Sequence, residues 1–231
     1  MSGFEDFLSD LFSLKTWDVI WPAILDTLVM TSVSTILMAI FGLALGTVLL
    51  VTRPGGLRPL RVFNVIFGGI IDALRSLPSM VIIILTLPLA KIIIGRSWGP
   101  GAVMIALALT CTPMFARMVE SSFLEVARGK IEAAKSIGAR NWEILLKVIL
   151  PESLPGLIRA FTIAIIALIS VTAIAGWFGG GGLGDVAVRY GYTRFLTHML
   201  VAAVAVLIII VEFVQVGGEA WAKHIVRKRH L

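Results

Sequence analysis

Long apolar runs separated by short polar segments dominate this sequence. Five runs reach the roughly 17 to 25 residues that a helix needs to cross a bilayer; they cover residues 28–51, 77–94, 101–119, 155–177 and 197–216. Their apolar positions are continuous rather than alternating, which predicts helices and not the strands of a membrane barrel. We expect Pro113 to interrupt the third run. The pattern predicts an all-α membrane protein with about five transmembrane helices.

Composition agrees with this class. Hydrophobic residues make up 58% of the 231 positions and charged residues only 15%, a balance that a soluble domain does not show. The first residues are acidic and contain no short apolar stretch before a cleavage site, so we expect no cleavable signal peptide. The net charge of +6 needs no nucleic acid to explain it, because basic loops facing anionic lipids account for it.

Basic residues are distributed unevenly among the segments between the runs. Fourteen of the twenty lysines and arginines follow the first run, lie between the third and fourth runs, or end the chain: Arg53, Arg58, Arg61, Arg117, Arg128, Lys130, Lys135, Arg140, Lys147, Arg159, Lys223, Arg227, Lys228 and Arg229. Five acidic residues occupy the first 26 positions. Because short loops rich in lysine and arginine stay in the cytoplasm, the asymmetry predicts an extracytoplasmic N-terminus and a cytoplasmic C-terminus.

This topology divides the chain into three parts. Residues 1–26 are predicted to be an extracytoplasmic segment, residues 27–220 a transmembrane domain, and residues 221–231 a basic cytoplasmic tail. Within the transmembrane domain, residues 120–152 form a polar segment on the cytoplasmic side.

Candidate catalytic and metal-binding residues are sparse. His198, His224 and His230 lack metal-ligand spacing, so no metal site is predicted, and no P-loop motif is present. The single cysteine, Cys111, is expected to pack in the third span. Asp72 and Arg75 are spaced to pair on one helix face, and Glu212 lies in the last apolar run; for all three we favour a structural role over a transport role.

The segment 120–152 carries helical patterning. Ala127, Ile131, Ala134 and Gly138 share one face of a predicted helix, and most of them are small. Gly138 is expected to end this helix in a left-handed conformation, and Asn141 to cap a second short helix over 142–150 that Pro151 follows. The pattern alone leaves two partners open, a soluble protein or the membrane surface.

The residues themselves resemble a known signature. Glu132-Ala133-Ala134, then Gly138, then Val148-Ile149-Leu150-Pro151 match in register the EAA signature of membrane subunits of bacterial ABC importers, with Val148 where isoleucine is common. The resemblance implies a type I ABC importer permease fold, in which the first helix is a coupling helix that seats in a cleft of a separate ATPase. The docking residues it implies are Ala127, Ile131, Glu132, Ala133, Ala134, Gly138 and Pro151.

Further segments are similar to the methionine importer permease family: residues 26–31, 51–55, 75–78, 116–120, 150–156, 181–185 and 190–192. This resemblance implies a homodimeric permease in the bacterial inner membrane, two copies of an ABC ATPase that bind ATP and Mg²⁺, and an extracytoplasmic methionine-binding protein. Alternating access would carry D- or L-methionine, and no cofactor would be bound by this chain. Another amino acid or a methionine derivative remains an alternative substrate.

Two other functional classes are weighed against this one. A secondary transporter would need ionisable residues at the membrane centre or an inverted repeat, and the sequence shows neither. A structural anchor for a cytoplasmic complex is the third class. For the transport pathway, the candidates are Ser170, Thr172 and Trp177, together with Gly180 and Gly182 in the glycine-rich stretch 179–184, which indicates a mobile backbone or closely approaching helices.

Overall fold

The structure, a computed structural model, describes residues 2–229, so Met1, His230 and Leu231 at the two ends of the chain lie outside it. Within that range the regular elements are all helical: α1 Ser2–Leu11, α2 Leu14–Thr52, α3 Arg61–Ser76, α4 Ser79–Ile94, α5 Pro100–Leu124, α6 Arg128–Ser136, α7 Asn141–Ile144, α8 Leu150–Ala175, α9 Gly182–Val186 and α10 Thr197–Arg229. Two π-helical segments, Leu145–Ile149 and Ala187–Tyr192, and a 3₁₀ turn, Gly176–Phe178, complete the described secondary structure.

Four of these helices are long and apolar enough to cross a membrane: Leu14–Thr52, Pro100–Leu124, Thr197–Lys228, and the continuous helical run Asn141–Phe178. The second predicted span differs from the prediction. Helix α4 has only 16 residues, and it is long enough for a span only together with α3, to which it is bent by 107°. The described chain therefore has four membrane helices, or five if this bent pair counts as one.

Prolines proved poor markers of helix ends. Pro113 was expected to interrupt the third span, yet α5 continues through it to Leu124. Pro151 was expected to follow a short helix, yet the helical run that begins at Asn141 continues past Pro151 into α8. For Pro113, inside a span, the backbone has no water as an alternative partner, so losing one hydrogen bond does not end the helix.

The last helix is also longer than predicted. Helix α10 extends to Arg229, so Glu212 lies well inside the helix and is exposed, and much of the predicted basic tail is helical.

By its internal contacts the chain divides into two compact units, and each long helix contributes one part to each unit. Of the described residues, unit 1 contains 2–37, 78–110 and 165–214. Its core joins α2, α9 and α10, with Ile20, Leu183 and Ala203 completely buried. In the same unit the hydroxyl of Ser34 donates a hydrogen bond of 3.0 Å to the carbonyl oxygen of Met104, which links α2 to α5.

Unit 2 contains 38–77, 111–164 and 215–229 of the described residues. Here two glycines of α2 at Gly-x-x-x-Gly spacing, Gly42 and Gly46, face α5. A methyl group at Gly46 would lie 2.6 Å from the carbonyl oxygen of Ala116. Close backbone approach at small residues is the usual way that helices associate in membranes, where hydrophobic burial gains nothing over lipid. This pair, which the sequence analysis missed, fixes α2 against α5.

Candidate functional site

Helix α6 forms the predicted first helix of the polar segment and ends as expected. Gly138 has φ 80°, the left-handed conformation that glycine adopts without a Cβ penalty. The N–H of Ala139 donates to the carbonyl of Ala134, and the N–H of Gly138 donates to the carbonyl of Lys135. These two hydrogen bonds satisfy carbonyls that the helix end would leave free, and they define a Schellman turn.

The predicted small-residue face of α6 is divided between the interior of unit 2 and the surface. Ala134 is buried and Ile131 is half-buried, so this part of the face packs on the chain itself. Ala127 and Gly138, at the two ends of the helix, are exposed. Glu132 and Ala133 are exposed as well. The surface available to another protein is therefore centred on Ala133 rather than on Ala134.

A large apolar side chain that the sequence analysis did not single out lies beside this surface. Ile137 is 85% exposed, in the turn immediately before Gly138. Trp142 and Leu146, one helical turn apart, are also exposed, and the ammonium group of Lys147 lies over the Trp142 ring at 5.8 Å. Bulky apolar side chains in an otherwise charged segment are the signal that could have identified them.

The second predicted helix begins differently from the prediction. Arg140, not Asn141, is the residue before the first helical turn, and its N–H donates to the carboxylate of Glu143 at 2.9 Å. The side-chain amide of Asn141 instead donates to the carbonyl of Leu57, also at 2.9 Å. Asn141 thus ties the turn after α2 to the start of the second helix, and it does not act as a helix cap.

Between this start and α8 the helix widens into the π-helical segment Leu145–Ile149, where the N–H of Leu150 donates to the carbonyl of Leu145. This wider turn comes immediately before Pro151, which has no backbone N–H to donate. The change in hydrogen-bond pattern accommodates the proline, and the helical run continues past it. Lys130 of α6 forms a 2.7 Å ion pair with Glu152 of α8. Helix α6 is therefore attached to α8 by a side-chain ion pair as well as through the chain.

A second polar cluster in unit 2 surrounds Arg117 of α5. Its guanidinium group donates two parallel hydrogen bonds to the carboxylate of Asp72, at 2.9 and 2.6 Å, one of 2.7 Å to Glu120, and one of 2.9 Å to the carbonyl of Gly68. Asp72 and Arg75 pair as expected, at 3.6 Å, but Arg117 is the principal partner of Asp72. A planar fork that meets a carboxylate through two bonds is the stronger geometry.

The cluster fixes the short helix α3, which the sequence analysis did not predict. Arg117 holds the middle of the helix, since Gly68 and Asp72 both belong to α3. Asn64 holds its first turn by donating 2.9 Å hydrogen bonds to the carbonyl of Leu49 and the hydroxyl of Thr52 in α2.

The glycine-rich stretch in unit 1 is closely packed rather than open. Gly180, Gly182 and Gly184 are buried. The N–H of Leu183 donates to the hydroxyl of Thr27 at 2.8 Å, and a methyl group at Gly182 would lie 2.6 Å from that oxygen. Of the two interpretations in the sequence analysis, close helix approach describes this structure.

The remaining pathway candidates differ in exposure. Thr172 is buried and its hydroxyl donates to the carbonyl of Ile169 at 2.6 Å, whereas Ser170 is exposed. Trp177 is 59% exposed and its ring lies 5.8 Å from that of Tyr192. In this structure only Ser170 and Trp177 present a side chain to the surroundings, and all of these residues remain candidates.

The arrangement is that of a multi-pass membrane protein with a helix–turn–helix between two membrane helices. The family model described as the binding-protein-dependent transport system inner membrane component matches residues 49–229. The chain belongs to this family of inner-membrane permeases.

Relatives from two bacteria are similar along most of the chain. The probable D-methionine transport system permease protein MetI of Vibrio cholerae is 36% identical over 217 residues, which are 94% of this chain and 93% of that protein. The methionine import system permease protein MetP of Bacillus subtilis is 39% identical over 200 residues, 87% of this chain and 90% of that protein.

Solved structures agree in fold. A structure of inward-facing conformations of the MetNI methionine ABC transporter matches with a TM-score of 0.90 and 33% identity, covering 93% of this chain and 99% of that chain. An amino acid ABC transporter with histidines matches with a TM-score of 0.77 at 18% identity, over 94% of this chain and 98% of that chain, which shows a shared fold alone.

The Arg117 cluster generates a prediction about stability. In a double-mutant cycle with Asp72→Asn and Arg117→Gln, we expect a coupling free energy of about 1 kcal/mol, since the geometry is good but both side chains are partly exposed. The matched cycle of Asp72→Asn with Arg75→Gln should give at most about 0.3 kcal/mol, because this pair is longer and about half-exposed. Denaturant unfolding in detergent measures both; equal coupling in the two cycles would contradict the assignment of Arg117 as the principal partner.

The glycine-rich stretch generates a second prediction, which separates packing from backbone conformation. Gly182 and Gly179 both have positive φ, but a methyl group at Gly179 would meet nothing within 4 Å. Gly182→Ala should therefore destabilise the protein by about 1 to 3 kcal/mol more than Gly179→Ala. The melting temperatures of the two purified variants make the comparison, and similar losses would show that φ alone decides the effect. The double variant Gly180→Val with Gly182→Val should fail to assemble, because side chains at both positions would overlap neighbouring atoms.

Proposed function

We propose that this chain is the membrane-spanning subunit of an ATP-driven importer for methionine, in its D-form, its L-form or both. The observation that carries the proposal is similarity along more than nine-tenths of the chain to permeases named for methionine transport, in sequence and in structure. The helix–turn–helix over residues 128–150 supports it, because a transporter driven by a separate ATPase needs a cytoplasmic contact surface.

The assembly in this proposal contains two copies of the chain, two ABC ATPase subunits and an extracytoplasmic methionine-binding protein. ATP and Mg²⁺ belong to the ATPase subunits, and this chain supplies the route across the membrane. Binding of ATP favours one conformation of the permease over another, and the difference in affinity between the two conformations supplies the driving force.

The proposed ATPase contact is the exposed side of α6 and the turn that follows it. Glu132 and Ala133 supply its centre, and Ile137 and Gly138 supply its edge. Ala133 is small, which allows a partner to approach the backbone closely, and Ile137 offers apolar area that is exposed in the isolated chain. Interfaces concentrate their binding energy in a few such side chains that become fully buried. Ala134 and Ile131 act indirectly, by seating α6 on unit 2.

The contact predicts the effect of a single truncation. Ile137→Ser should weaken ATPase binding by more than about 1 kcal/mol, roughly fivefold in Kd. Leu60→Ser is the matched control, because Leu60 is also an exposed apolar residue in a polar segment that the charge argument places on the same side of the membrane. Co-purification of the ATPase and uptake of radiolabelled methionine are measured on both variants.

If Ile137→Ser retains full assembly and uptake, the docking surface is assigned wrongly. If the wild type assembles but takes up no methionine, the substrate is another compound. Gly138→Leu is a poorer probe, since it also strains a left-handed backbone position.

Orientation follows from the basic residues and predicts a labelling pattern. The single native cysteine, Cys111, is 3% exposed and contributes little background reaction with maleimides. A cysteine at Leu14→Cys should react with a membrane-impermeant maleimide in intact cells, and one at Ser136→Cys should react only after permeabilisation. Labelling of both sites in intact cells would contradict a cytoplasmic position for α6.

A further inference from the structure

A cavity of about 350 Å³ lies in unit 2 between helix α6 and the turn that follows α2. Part of its wall is apolar and comes from the last turns of two membrane helices, with Leu50 of α2 and both Phe123 and Leu124 of α5. Another part is charged and carries Arg53, Arg128, Lys135 and Glu132. Three cationic side chains against one carboxylate leave an excess of positive charge.

The cations of this cavity are not neutralised by the chain. Within residues 2–229, Arg53, Arg128 and Lys135 have no carboxylate oxygen within 4 Å. Two other basic residues of the same polar segment have acidic partners, Lys130 with Glu152 and Lys147 with Glu143, whereas the side chain of Arg140 has none among the described residues. Three cationic side chains without an acidic partner therefore line one cavity.

The position of the cavity relates this charge to the membrane. Helix α2 ends at Thr52 and α5 at Leu124, so the apolar wall marks the end of two membrane-crossing segments, and the basic residues follow directly in the chain. A ligand that fits must combine an apolar part with a phosphate-like anion at the boundary of the hydrocarbon region. An anionic phospholipid has this chemistry, and basic pockets between membrane helices are known to hold such head groups.

We propose that the cavity binds the head group of an anionic phospholipid. The phosphate lies among Arg53, Arg128 and Lys135, and the first acyl carbons lie against Leu50 and the end of α5. Glu132 accepts a hydrogen bond from a hydroxyl of the head group, which suits phosphatidylglycerol. Helix α6 forms one wall of the cavity, so a bound lipid contacts the helix that we propose as the ATPase docking site. The lipid composition of the membrane therefore affects this helix.

The same charges could attract an acidic segment of a protein partner. The apolar wall, formed by the ends of membrane helices, favours the lipid, and the experiment treats the protein partner as a distinct outcome. The lipid measurement uses the permease without its ATPase, so its result does not depend on the proposed importer function.

The test uses the purified full-length permease and its variant Arg53→Gln with Lys135→Gln. The control variant, Arg140→Gln with Arg159→Gln, removes two positive charges from residues of the same unit that do not line the cavity. Native mass spectrometry measures binding of phosphatidylglycerol and, for comparison, of phosphatidylcholine. At about a fivefold loss for each basic contact near the membrane surface, the cavity variant, which lacks two of them, should bind phosphatidylglycerol roughly 25-fold more weakly. The control should bind it as the wild type does, and phosphatidylcholine should bind weakly to all three.

Several outcomes would overturn the proposal. Equal losses in the cavity and control variants would show a general surface-charge effect. Displacement of the lipid by millimolar inorganic phosphate would show that the apolar wall contributes nothing and that the site takes a free anion. Unchanged lipid binding combined with loss of ATPase co-purification would assign the cavity to a protein partner. Melting temperatures are compared first, and if the double variant is unstable, Arg128→Gln alone replaces it.

Discussion

The constraint on which the rest of this structure depends is the lack of water in the hydrocarbon region, which obliges each backbone N–H and C=O to find a partner within the protein. Helices such as α2 and α5 therefore continue through internal prolines, Pro22 and Pro113 respectively. Irregular backbone is concentrated where other groups can satisfy it. The π-helical segment at Leu145 follows the polar turn, and the glycine-rich turn has its Leu183 N–H bonded to Thr27. The Schellman turn at Gly138 obeys the same rule in a polar setting.

The same constraint explains what could be predicted from the sequence and what could not. Continuous apolar runs and the charge distribution are properties of the chain alone, so the all-helical class and most of the long spans could be predicted. The left-handed conformation of Gly138 could also be predicted, because glycine adopts it without a Cβ penalty. The bent pair α3 and α4 could not be predicted. Helix α3 contains exposed apolar residues next to charged ones, and its position depends on the contact between Asp72 and Arg117, which are 45 positions apart in the sequence. Contacts at such separations leave no local pattern. Asn141 shows a related limit, because a residue that commonly caps helices here bonds to Leu57 instead.

Within the candidate site, helical periodicity identified a shared face but not which side of the helix would be free. Ala134 and Ala133 are neighbours in the chain, yet one is buried and the other is exposed. Small residues suit both close packing within a chain and close approach of a partner, so their size does not distinguish the two roles. The exposed side is indicated by Ile137, a bulky apolar residue that no internal contact requires. Glycines posed the same ambiguity in the stretch 179–184, where tight contacts with α2 show packing rather than mobility.

The ion pair between Lys130 and Glu152 has a consequence for energy exchange in a transport cycle. With Ala134 packed inward and the chain continuous from Asn141 into α8, a displacement of α6 acts on a long membrane helix rather than on a loose loop. Such a linkage works equally in both directions. If nucleotide bound to a partner of α6 changes the affinity of the membrane helices for solute, then solute must change the affinity for nucleotide by the same factor. A weaker hold between α6 and α8 would lower both effects together, so the partner ATPase would hydrolyse ATP while the permease moved no solute.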